Sequence, residues 1–177
     1  YYWISTGRMP IRNDNERIGR RPSPYTPDMV TRLMDYVASI GASGGPDIPR
    51  VGPGNLADGL HLFALECASC HAWSGRGSII YKGKVPTVTP ANPEQVASAI
   101  RIGPGEMPAF GQAAIDQQQL NDVVAYVQTL KHPKDSGGLP LFHRGPTTEG
   151  GAALFVGLGS LLLAIGWIGT KAKLHAR

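Results

Sequence analysis

The sequence predicts a mainly α-helical protein that ends in one membrane-spanning helix. Three observations carry that prediction. Apolar residues recur at helical spacing behind residues that cap helix N-termini, residues 150–170 hold no charged side chain, and both cysteines fall in one run, Cys67-Ala-Ser-Cys70-His71. A length of 177 residues allows one good core or two small ones, and an apolar content of 42% is ordinary. The 23 glycines and 15 prolines cluster in a few stretches, which favours short helical modules joined by irregular segments over a continuous sheet. A net charge of +4, with no run of basic residues interleaved with aromatics, argues against nucleic-acid binding.

In chain order, residues 27–40 place Val30, Leu33, Met34, Val37 and Ile40 at helical spacing behind Thr26 as N-cap, and Gly41 stops the helix. Glycine, proline and serine then dominate residues 41–54, which read as a linker. A helix from about Leu56 carries Leu60, Phe63, Ala64 and Cys67 straight into the cysteine run, and residues 72–91 read as irregular. Asn92 caps the next helix, with Pro93 at its first position, and Gly103-Pro104-Gly105 ends it. Asp116 opens the last helix of this module, with Gln119 completing a capping box ahead of Leu120, Val123, Val124, Tyr126, Val127 and Leu130. The expected organisation is a partial module at 1–40, the linker 41–54, a second module at 55–132, a second linker 133–149, the membrane helix 150–170 and a tail 171–177.

The stretch 150–170 is about as long as a bilayer core requires, and the chain is too small to surround such a helix on every side. Lys171, Lys173 and Arg177 follow it and Glu149 precedes it, so the positive-inside rule predicts a cytoplasmic C-terminus at the cell membrane, with everything before residue 150 outside. The chain opens on Tyr1-Tyr2-Trp3 with no signal peptide, as a fragment or a processed chain would.

The cysteine run carries the chemistry. A structural disulfide more usually joins distant segments, a zinc site needs further ligands at similar spacing, and a redox C-x-x-C opens a helix in a βαβ unit. C-x-x-C-H instead suits covalent haem attachment: each thiol adds to one vinyl group, and the next residue presents its imidazole to the iron from the same turn. Cys67 and Cys70 are therefore the predicted attachment points of haem c and His71 the proximal ligand, with the Pro86 carbonyl available to its other ring nitrogen. The sixth ligand is expected from Met107, in the loop Gly105-Glu106-Met107-Pro108-Ala109-Phe110, because a thioether raises the haem potential as an electron carrier needs. Arg76, Tyr81 and Arg101 are candidates to neutralise haem propionates, and Trp73 is expected to pack near the haem edge. Asp14, Glu16, Asp47 and Asp58 read as solvated surface charges. No nucleophile sits with a paired base, so no catalytic residue is expected, and an iron with both axial positions filled transfers electrons rather than transforming molecules.

A partial repeat precedes this module. Gly7-Arg8-Met9-Pro10 followed by Leu33-Met34-Asp35-Tyr36-Val37 parallels Gly105-Glu106-Met107-Pro108 followed by Val123-Val124-Ala125-Tyr126-Val127. Met9 would then ligate the iron of a second haem, whose attachment cysteines would belong to an earlier half-module. At this point the sequence resembles class I cytochrome c domains, whose first helix carries a glycine and an aromatic residue that pack on an aromatic of the last helix; Gly59, Phe63 and Tyr126 match. Two such domains and one C-terminal membrane helix look like the dihaem cytochrome cc subunit of the actinobacterial cytochrome bc (bcc) menaquinol oxidoreductase complex. The most specific pieces are Thr6-Gly7-Arg8-Met9-Pro10, Cys67-Ala-Ser-Cys70-His71, Ser74-Gly75-Arg76-Gly77 and Thr148-Glu149-Gly150; the missing first C-x-x-C-H is the main departure.

That resemblance implies a role as the electron-transfer subunit of a quinol:cytochrome c reductase. Electrons from the Rieske iron–sulfur protein would enter one haem, cross to the other, and leave to cytochrome c oxidase within a supercomplex. The cytochrome b subunit, the Rieske protein and oxidase subunits would be partners. Two other readings stand beside it: a membrane-anchored monohaem carrier between a dehydrogenase and an oxidase, and a haem-based sensor.

Overall fold

Among the described residues, four helices begin on a side chain that closes their first turn, and these caps frame the first part of the chain. The structure, a computed structural model, describes residues 1–11, 13, 18–41, 47–81, 83–134 and 146–175. Asp14 and Glu16, residues 42–46 of the first linker, residues 135–145 of the second and residues 176–177 of the tail lie outside the described residues. The elements are α1 (Tyr2–Ser5), α2 (Pro27–Ile40), α3 (Leu56–Glu66), α4 (Ala68–His71), β1 (Ser78–Ile80), β2 (Gly83–Val85), α5 (Pro93–Ile102), α6 (Gln117–Thr129) and α7 (Pro146–His175). Thr26, Asn55, Asn92 and Asp116 accept backbone N–H groups at the starts of α2, α3, α5 and α6, and the last two complete capping boxes with Gln95 and Gln119. The chain divides into one unit over residues 1–132 and another over 133–177.

In the first unit the core gathers Phe63 and Ala68 with Val96, Ala97 and Ile100 of α5, Ile115, and Leu120, Val123, Val124 and Val127 of α6. Helices α3 and α6 meet at Gly59, where a Cβ would overlap the Asp122 carbonyl oxygen, so only glycine permits this approach. One turn on, the Phe63 and Tyr126 rings pack with centroids 5.3 Å apart. The approach to α3 is tied to α6 as well: Asn121 Oδ1 accepts from Gly52 N–H at 3.0 Å and Asp122 Oδ1 from Asn55 N–H at 2.7 Å.

The structure corrects one expectation. Residues 72–91 are not wholly irregular, because β1 and β2 pair antiparallel with Ile79 opposite Lys84. Three-residue strands beside a glycine are too short to show an alternation of period two. A second element without a sequence signal is α1, four residues long, which docks on α5 through hydrogen bonds from Gln95 Nε2 to the Ser5 carbonyl at 3.1 Å and from Asn92 Nδ2 to Tyr1 Oη at 3.3 Å. Helix α2 buries Val30 and leaves Met29, Tyr36, Val37 and Ile40 exposed.

In the second unit, residues Thr148–Thr170 of α7 are apolar and unburied. Twenty-three residues rise about 35 Å in a helix, enough to cross a bilayer core.

Candidate haem-attachment site

Helix α3 delivers its last turn to the cysteines. Cys67 N–H donates to the Phe63 carbonyl at 2.9 Å and thereby ends α3, and the same residue opens α4 by accepting from Cys70 N–H at 3.1 Å and His71 N–H at 2.8 Å. Both thiols and the imidazole thus hang on one turn, fixed to the core by buried Phe63 and Ala68. Ala72, at φ 59°, then reverses the chain. Gly77 N–H returns to the His71 carbonyl at 2.9 Å, and the Ser78 hydroxyl donates to the Cys70 carbonyl. The hairpin missing from the sequence reading therefore buttresses the turn.

Cys67, Cys70 and His71 are half-buried, and both thiols are unpaired. Burial, helped by neighbouring Glu66 and Cys70, pushes the Cys67 thiol up to about 11. His71 Nδ1 lies 3.1 Å from the Pro86 carbonyl oxygen. A carbonyl only accepts, so Nδ1 carries the proton and Nε2 keeps its lone pair. Burial holds the His71 pKa below its ordinary value against the opposing effect of the Pro86 bond, so the imidazole is neutral near pH 7. Two thiols at C-x-x-C spacing beside a neutral imidazole with Nε2 available are the donor set a covalently held haem requires, and these residues fit the group.

Met107 is half-buried against the core. Its loop is held at both ends. Gly103 caps α5 at φ 63°, where a Cβ would lie 2.7 Å from the Met107 carbonyl oxygen, and Phe110 N–H donates to the Ile100 carbonyl at 2.8 Å. Arg101 Nη1 donates to the Phe110 carbonyl at 3.0 Å and the Ile115 carbonyl at 2.6 Å. Arg101 is thus a clamp on the methionine loop, a role the sequence reading missed in favour of propionate binding. Of the other candidates for the haem surround, Arg76 and Tyr81 are exposed and Trp73 is 58% exposed.

The Met9 loop is built the same way. Arg21 Nε donates to the Gly7 carbonyl at 2.9 Å and its Nη2 to the Pro10 carbonyl at 3.1 Å, spanning the methionine with one guanidinium. Met9 itself is 41% exposed. In both loops an arginine distant from the methionine grips backbone carbonyls near it, a correspondence that local sequence comparison does not reveal.

Residues 54–127 match the family described as cytochrome c oxidase, cbb3-type, subunit III. Over 97% of its length the chain is 31% identical to the cytochrome bc1 complex cytochrome c subunit of Corynebacterium diphtheriae, covering 68% of that protein. It is likewise 31% identical to the subunits so named in Mycobacterium leprae and Mycobacterium tuberculosis, covering 63% and 65% of them. The chain therefore spans about two thirds of the length of these relatives.

Proposed function

The chain belongs to the family of cytochrome c subunits of cytochrome bc1 complexes, with a c-type cytochrome domain and an apolar C-terminal anchor, and from that premise we propose that it carries electrons from the Rieske protein of a quinol:cytochrome c reductase to cytochrome c oxidase in a respiratory supercomplex. The observation that carries this reading is that similarity to those subunits runs along 97% of the chain and is not confined to the haem module. Haem c, when bound, supplies reversible one-electron chemistry. Cys67 and Cys70 would hold it covalently, His71 and Met107 would ligate its iron, and Met9 would ligate that of a second haem in the first module. The Pro86 carbonyl holds the proton on Nδ1 of His71 and so leaves Nε2 for the iron it would bind, and the Arg101 and Arg21 clamps hold the two methionine loops. Among the described residues we assign none as an acid, base or nucleophile; catalysis belongs to the assembly with cytochrome b, the Rieske protein and the oxidase. The haem modules lie outside the membrane and the C-terminus in the cytoplasm.

Haem stoichiometry on the complete protein, by pyridine haemochrome spectrum and intact mass, tests the reading. Two haems per chain are expected. One haem would leave Met9 as a packing residue and favour a monohaem anchored carrier, and none would sink the proposal.

A further inference from the structure

Among the described residues, nothing balances one charge of the Met9 loop. Arg8 is only 8% exposed, and its Nη1 is, among the described residues, the one buried side-chain nitrogen or oxygen with no hydrogen-bond partner. Leaving a charged donor in that condition is among the most costly arrangements a fold can hold. The guanidinium carbon lies 4.7 Å above the Tyr2 ring, which positions the cation and offsets part of its desolvation but provides no acceptor for Nη1. Burial raises the Tyr2 phenol above its ordinary pKa, so this neighbour contributes no negative charge. A second cation stands close by. Arg20 Nη2 donates to two neutral oxygens, the Pro90 carbonyl and Gln95 Oε1, both at 2.8 Å, and burial first, then the charge of Arg8, lowers the Arg20 pKa. Neither guanidinium thus has a carboxylate partner among the described residues.

We propose that Arg8 is a carboxylate-binding residue, and that its ligand is a propionate of the haem whose iron Met9 ligates. This rests on the reading of Met9 as a haem ligand. A guanidinium fork matches the two oxygens of a carboxylate bidentately, and haem c carries two carboxylates. Arg8 is one peptide bond from Met9 in a loop fixed by the Arg21 clamp, so the proposal requires a group that reaches from the exposed Met9 side chain to the buried guanidinium, as a propionate on the edge of a haem held by Met9 would. The same chemistry could come from an aspartate or glutamate of the chain, and the experiment separates the two sources.

The full-length protein is studied in its membrane complex as wild type, Arg8→Lys and Arg8→Gln, with haem counted per chain, each midpoint potential titrated and the propionate-bending bands read by resonance Raman. A cation beside a haem disfavours the ferric state, so its loss lowers the potential. The expected result is two haems throughout, with one potential falling in the order wild type, Arg8→Lys, Arg8→Gln, the other unmoved, and a propionate band shifted. The falling potential is that of the haem that Met9→His also perturbs. If Arg8→Gln does not assemble, the Arg8→Lys shift decides. Two haems with unchanged potentials and bands would overturn the inference and assign Arg8 to a protein carboxylate, whereas one haem in the wild type would overturn the Met9 reading and this inference with it.

Discussion

A single backbone oxygen decides which nitrogen of His71 is available. Because the Pro86 carbonyl fixes Nδ1–H, Nε2 is the ring nitrogen left with a lone pair, the one that would meet the iron under the proposed ligand set. Met107 has a different status, since it stands on a loop and is not part of the attachment turn. Under the proposed ligand set, the contributions of His71 and Met107 would therefore be separable by mutation. Met107→Leu keeps nearly the same volume against the core and leaves Cys67, Cys70 and His71 in place, so haem should remain covalently bound at wild-type stoichiometry. Its potential should fall by on the order of 0.1 V, within the roughly 0.8 V over which axial ligands set haem potentials, and the opened position should bind carbon monoxide in the reduced state. An unchanged redox titration with no carbon monoxide spectrum would remove Met107 from the iron. Pro86→Ala is the contrasting case: the carbonyl survives the substitution, so the potential should move much less than in Met107→Leu.

At the scale of elements, the contact between α3 and α6 determines whether the attachment turn is supported. Gly59→Ala forces a methyl group into the Asp122 carbonyl, and the helices must separate just where Phe63 and Tyr126 pack. Overpacking of this kind costs typically about 1–3 kcal/mol, read as a lower denaturation midpoint of the haem-loaded protein; an unshifted midpoint would show that α3 and α6 do not approach at Gly59. Asp116→Ala should cost about 1 kcal/mol by the same measurement, since Asp116 Oδ1 accepts from Gln119 N–H at 2.8 Å. These elements were legible in the sequence because their signals are local: Thr26, Asn92 and Asp116 cap helices from one turn away, and C-x-x-C-H announces its own turn. Even the bond to Pro86 was legible, because a proline lacking an N–H leaves its carbonyl to find a donor. The β1–β2 hairpin and α1 were not, since elements of three or four residues complete too little of a period. Nor were the clamps formed by Arg101 and Arg21. Their partners are backbone carbonyls, which carry no residue identity, and only the path of the chain brings them within reach.

For the whole molecule, the division between residues 1–132 and 133–177 separates redox chemistry from attachment to the membrane. The core of the first unit is built from residues of that unit, and among the described residues the apolar stretch Thr148–Thr170 of α7 is unburied. Such a surface is tolerable in lipid and costly in water, so membrane residence should depend on α7 and haem binding should not. Deleting residues 146–177 from the full-length protein should release it from the membrane fraction into the soluble fraction, with covalent haem retained at wild-type stoichiometry and an unchanged reduced spectrum. Fractionation after an alkaline carbonate wash distinguishes a bilayer anchor from adhesion to partner subunits. A truncated protein that still resisted the wash would place the anchor elsewhere in the molecule, and one that lost its haem would show that α7 contributes to the fold of the haem module.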